Sequence, residues 1–127
     1  MTENKTFNLE QRTYEFARDC RLLVKDLKKT ISNIEDCKQL VRSSGSVGAN
    51  YIEGNEKLGD KDLKFRIKIS RKEAKESEYW LKLLKDLNEN ESEIIQILIN
   101  EANEIRKILS AIINKIEIIY SLSFFGI

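Results

Sequence analysis

The chain has 127 residues, two cysteines, no proline and no histidine, and its 22 basic residues stand against 21 acidic ones. That length fits a single domain, and a chain that is 34% charged, with Leu and Ile filling most apolar positions, is composed for helices rather than for a β-sandwich with Gly/Pro-rich turns. The lack of histidine removes the commonest general base, the usual metal ligand and every Ser-His or Cys-His nucleophile pair.

Two cysteines without histidine also make a poor zinc site. Cys20 and Cys37 are expected to be reduced and packed. No cofactor and no metal is expected. No apolar run is long enough to span a bilayer. The opening "MTENKTFNLEQR" lacks the apolar segment of a secretory signal. The expected location is therefore cytoplasmic.

A first helix is predicted over about residues 8–32, with Asn8 and Gln11 at capping-box spacing. Leu9, Phe16, Cys20, Leu23, Val24, Leu27 and Ile31 fall within an arc of about 120°, an amphipathic stripe. A second helix is predicted over about 35–57, since Cys37, Leu40, Val41, Ser44, Val47, Gly48, Tyr51 and Ile52 recur every three or four residues. Gly54 and Gly59 bracket the turn that follows.

Asp60 reads as the N-cap of a third helix, predicted over about 60–88, with a core stripe of Leu63, Ile67, Ser70, Ala74, Ser77, Leu81 and Leu84. "NENES" forms the next turn, and Ser92 can cap a fourth helix over about 92–121, followed by an apolar tail that includes Leu122, Phe124 and Phe125. Long helices joined by short turns predict an all-α fold: one antiparallel up-down-up-down four-helix bundle over residues 1–127.

The fourth helix is apolar over an arc of about 200°, wider than the stripe of roughly 100° that a monomeric bundle needs. Either a long first helix covers a wide core position, or the surplus is a subunit interface. The second reading is favoured, with Ile94, Ile97, Ile108, Ile112 and Ile119 as candidate contacts.

"SSGSVGANYIEG", residues 43–54, carries three of the five glycines. No strand precedes it and its spacing does not match GxxxxGK[ST], so it is not a P-loop. "GSVG" has the GxxG form of a KH loop without the βααβ context. The helical period runs through the stretch unbroken. Ser44 and Gly48, then Gly45 and Ala49, make small-xxx-small ridges that let a neighbouring backbone come close. Arg42 and Glu53 lie eleven residues apart on one face and need partners from another helix, with Arg66, Arg71, Glu73, Glu76 and Glu78 available.

These residues carry a resemblance. Arg42-Ser43-Ser44, then Ser46 through Gly54 with Ala49, Asn50, Glu53 and Gly54, is similar to the helix-two signature of small four-helix-bundle proteins encoded in intervening sequences of bacterial 23S ribosomal RNA genes. That pattern runs approximately R-x-S/A-x-S-I-P-A-N-I-A-E-G, and "ISRKEAKESEYWL" resembles the family's helix three, with Arg71, Glu76 and Glu78 at matching positions. Gly48 replaces the usual proline and Ile52 the usual alanine. The resemblance implies an antiparallel four-helix bundle assembled as a homopentamer, with no catalytic residues. Relatives include the accessory variability determinant proteins of diversity-generating retroelements, which implies nucleic acid and a reverse transcriptase as partners.

Charge is unevenly spread. Eight Lys and Arg dominate residues 57–75, whereas residues 86–104 hold six Asp and Glu and no basic residue. On helix three, Lys61, Lys64, Lys68, Lys72 and Lys75 lie within an arc of about 80° opposite the core stripe. They form a candidate surface for RNA or DNA, non-specific and salt-dependent. Asp62, Glu73 and Glu76 are expected to weaken its field. The alternative is a structural or protein-interaction scaffold that uses only the isoleucine face. Glu73 and Glu76 could supply paired carboxylates, but di-iron bundles need Glu-x-x-His, so catalysis is not expected.

Overall fold

The computed structural model describes residues 8–56, 59–124 and 126, with Asp60 and Phe124 described by backbone alone. The readings made above on the first seven residues, on Lys57, on Phe125 and on the Phe124 side chain lie outside the described residues. Four helices follow one another: α1 Leu9–Asp26, α2 Ile31–Asn55, α3 Asp60–Leu87 and α4 Ser92–Phe124, with one turn of 3-10 helix at Glu89–Glu91 before α4. Each packs on its sequence neighbours, and α1 closes the ring against α4. Contacts from end to start fix the antiparallel sense. Asn33 near the start of α2 meets Asn88 just after α3, Glu53 late in α2 meets Arg66 early in α3, and Lys64 early in α3 meets Glu117 late in α4.

Asn8 caps α1 by accepting the Gln11 amide at 3.3 Å. The first turn comes earlier than the apolar period suggests. Leu27 is extended and buried, and Thr30 Oγ1 accepts the Asn33 amide at 3.1 Å to start α2. Ile31, placed in the α1 stripe by spacing, is instead the first residue of α2 and is 85% exposed. Threonine at the cap decides against the apolar period, because its side chain satisfies an amide that the helix start leaves open.

At the next turn Gly59, not Asp60, occupies the N-cap position, with φ +147, a conformation that glycine adopts without Cβ strain. At the other end of the chain, α4 runs past residue 121 to Phe124, so Leu122 continues the helix rather than starting a tail.

The core is built on Phe16 and Cys20 from α1, Leu40 and Val47 from α2, Ile67 and Leu81 from α3, and Ile95 through Ile113 along α4. Helix lengths differ. With 18 residues α1 spans about 27 Å, whereas the 33 residues of α4 span about 50 Å. A long covering α1 is thereby excluded, and the final turns of α4 extend past it with Ile118, Ile119 and Leu122 exposed. No described helix is long and apolar enough to cross a membrane.

Candidate nucleic-acid interface and the seam behind it

The stretch from Arg42 to Gly54 lies inside α2. Its amides are spent on the helix, so packing, not phosphate binding, is what its small residues serve. One flank meets α3. Ser70 Oγ donates to the Val47 carbonyl at 2.6 Å, and Ser77 Oγ lies 2.8 Å from Ser43 Oγ while donating to the Glu73 carbonyl. All three serines are fully buried. A Cβ at Gly54 would come within 3.2 Å of Arg66 Cβ, so glycine there lets α3 approach.

The other flank meets α1. Ser44 hydrogen-bonds the Cys20 thiol. Gly48 faces Thr13, and Gly45 faces the Arg21 guanidinium, which reaches over to the Val41 carbonyl. Ala49 is exposed, so Gly45 and Ala49 do not form a packing ridge. Ile52, in the predicted stripe, is also exposed. The helix has already turned its apolar face to α1 and α3 through Ser44, Val47 and Gly48, which leaves both positions outward.

Charges lock the seam at two heights. Arg42 bonds Glu73 at 2.9 Å and Glu76 at 2.5 Å. Partial desolvation opposes the Arg42 charge, but these two carboxylates outweigh it and hold its pKa above the ordinary value. Three turns on, Arg66 bonds Glu53 at 3.0 Å and the Asn50 carbonyl oxygen at 3.3 Å, with Asp62 at 3.9 Å. Arg71 turns the other way, to Ser110 on α4, and Glu78 lies near Arg106 and Lys82.

That arrangement decides the field over the lysines. Asp62, Glu73 and Glu76 were expected to dilute it, yet each is drawn to an arginine on the α2 side of α3. Lys61, Lys68, Lys72 and Lys75 are exposed and make no ion pair among the described residues. Lys64 departs from the set: it is half-buried, 3.3 Å from Glu117 and 6.0 Å above the Tyr120 ring. Two aromatic rings that the sequence reading passed over also lie on this side. Phe65 and Tyr79 are 58% and 57% exposed, each seven residues from Lys72 and so close to its face of the helix. Tyr79 packs edge-on against Trp80 with centroids 5.0 Å apart. Unusual exposure of large aromatics beside lysines is the signal that would have found them.

The isoleucine candidates separate. Ile108 and Ile112 are partly buried against the core, whereas Ile94, Ile97 and Ile119 are exposed at opposite ends of α4. Burial disposes of both thiols as nucleophiles. It pushes Cys20 up to about 12, against a smaller opposing pull from Ser44, and it raises Cys37. Among the described residues no three His, Cys, Asp or Glu side chains cluster as a metal site would require.

The model of the 23S rRNA-intervening sequence protein family matches residues 5–111, so the last turns of α4 lie beyond it. A solved structure is similar as well: a protein of unknown function from the S23 ribosomal protein family of Bacteroides thetaiotaomicron VPI-5482. It is 32% identical, with a TM-score of 0.76, over 87% of this chain and 99% of that one. No curated protein matches the chain. The α2 signature, the bundle built around it and the match over most of the length agree, and the chain belongs to the 23S rRNA-intervening sequence protein family.

Proposed function

We propose that the chain is a non-enzymatic, self-associating helical bundle that binds RNA or DNA non-specifically through the outer face of α3. The observation that carries this reading is the segregation of charge on that helix. Four exposed lysines stand on one side without acidic partners among the described residues, while its buried and half-buried carboxylates are engaged with arginines on the other. Such a face binds phosphates without reading sequence. Phe65 and Tyr79 add surfaces on which unpaired bases can stack.

The test is fluorescence anisotropy of a labelled 30-nucleotide RNA across a series of salt concentrations. Four phosphate contacts predict a log–log slope of about −3 to −4. The triple variant Lys68→Glu, Lys72→Glu, Lys75→Glu should abolish binding and keep its helicity. No binding by the native chain at low salt overturns the reading. A second reading, a protein-interaction scaffold without nucleic acid, is favoured by the exposed Ile94, Ile97, Ile118 and Ile119. A reverse transcriptase belongs to that reading, through the resemblance to retroelement accessory proteins; pull-down with a purified enzyme tests it.

A further inference from the structure

We propose that copies of this chain join head to tail: the lysine-rimmed groove between α1 and α2 of one protomer receives the acid-rimmed seam between α1 and α4 of the next. The inference rests on the self-association reading above and goes further by naming the two unlike faces that meet.

α1 is the shortest of the four helices, and both of its flanks are open. Between α1 and α2 lies a groove of about 420 Å³. Val24, Ile34 and Val41 line its apolar wall, and Lys28, Lys29 and Lys38 stand around it. Lys38 has Glu35 at 3.5 Å; Lys28 and Lys29 have no ion pair among the described residues. On the opposite flank, between α1 and α4, lies a second concavity of about 470 Å³. Leu22, Ile94 and Ile97 project there, each more than half exposed. Asp19, Asp26, Glu91 and Glu93 surround them, and only Asp19 has an ion-pair partner among the described residues, Arg18 at 3.0 Å.

The two faces sit at the same end of the bundle, where α1 ends and α2 and α4 begin. Each combines apolar side chains with a rim of one sign, and the signs are opposite. A two-fold contact would set each face against itself, lysines on lysines or carboxylates on carboxylates. A head-to-tail contact pairs lysines with carboxylates and covers Leu22, Ile94 and Ile97 in one step. Repetition of such a contact closes a ring or continues as a chain. It also leaves outward the lysine face of α3, the helix across the bundle from α1.

The test is solution mass by light scattering at about 0.1 M salt, where exposed charges still act over about 10 Å. The native chain should weigh a multiple of 14.8 kDa. Two variants reverse one rim each: Lys28→Glu, Lys29→Glu, Lys38→Glu, and Asp26→Lys, Glu93→Lys. Each alone should associate at least about tenfold more weakly, and an equimolar mixture should regain assembly, since each variant then meets a partner of opposite sign. Ile97→Asp, an exposed change that leaves the core intact, should also weaken assembly, with circular dichroism reporting unchanged helicity. A monomeric native chain at tens of micromolar overturns self-association and this inference together. A native oligomer that survives both reversals, or a mixture that stays dissociated, overturns the head-to-tail contact alone.

Discussion

A Cβ placed at position 48 would stand 2.9 Å from Thr13 Oγ1 and 3.3 Å from Thr13 Cβ. The closest approach of α1 to α2 is therefore set by the absence of a side chain at Gly48 and by a buried threonine opposite it. Alanine should raise helix propensity there by about 1 kcal/mol, but the contact with a β-branched, buried neighbour outweighs it. Gly48→Ala is expected to lower stability by about 1–2 kcal/mol. In the Thr13→Ala background the loss should shrink, because Oγ1 is gone. Urea unfolding of the four chains of this cycle measures it. A stabilised Gly48→Ala chain would show that α1 yields at no expense.

Asn33 and Asn88 form a reciprocal amide pair, with bonds of 2.8 and 2.9 Å, and Asn88 also donates to the Leu84 carbonyl. Each is almost fully buried. Removing one partner strands the other in a dry site, so Asn33→Ala should lose about 2 kcal/mol or more. The double variant Asn33→Ala, Asn88→Ala should lose clearly less than the sum of the two single variants. Additive losses would mean that the amides act separately.

The lysines should not contribute equally to nucleic-acid binding. Lys64 is engaged with Glu117, whereas Lys72 has no such partner among the described residues. Replacing Lys72 with Gln should reduce the salt slope by about one, and Lys64→Gln should move it less. Tyr79→Ala should weaken binding of single strands by about 1–3 kcal/mol and leave duplex binding nearly unchanged. Equal effects on single and double strands would remove Tyr79 as a stacking surface.

Burial raises the Cys20 pKa to about 12 from 9.0. The folded chain therefore holds this proton more tightly than the unfolded chain. The resulting stability is fully present below about pH 9, falls as pH rises from there, and is gone by about pH 12. Within that window the native protein should lose up to about 1.4 kcal/mol per pH unit more than a Cys20→Ala chain does. At neutral pH a thiol reagent should label Cys20 only after unfolding. Rapid labelling of the folded protein would contradict its burial.

Fold class was legible because it depends on periodicity and composition. Four apolar stripes, short polar turns and no proline leave few alternatives to a four-helix bundle. The α2 signature was legible too, since small residues that interrupt no helical period have packing as their simplest explanation. Charge asymmetry, Asn8 as a cap and the need of Arg42 and Glu53 for partners also follow from spacing alone.

Tertiary structure decided what spacing leaves degenerate. A three-to-four residue period continues through a turn when apolar residues happen to keep phase, so only Thr30 and the extended Leu27 show where α1 stops. Small residues on one helix can face either neighbour. Contact geometry assigns Gly54 and Ser43 to α3, Gly48 and Ser44 to α1, and Ala49 to solvent. Carboxylates interspersed with lysines look neutralising in a linear chain, yet pairing across the seam draws Asp62, Glu73 and Glu76 aside and leaves the lysines facing outward. The common reason is physical. Helical period specifies which residues share a face, whereas the identity of the surface opposite that face is a property of the packed bundle.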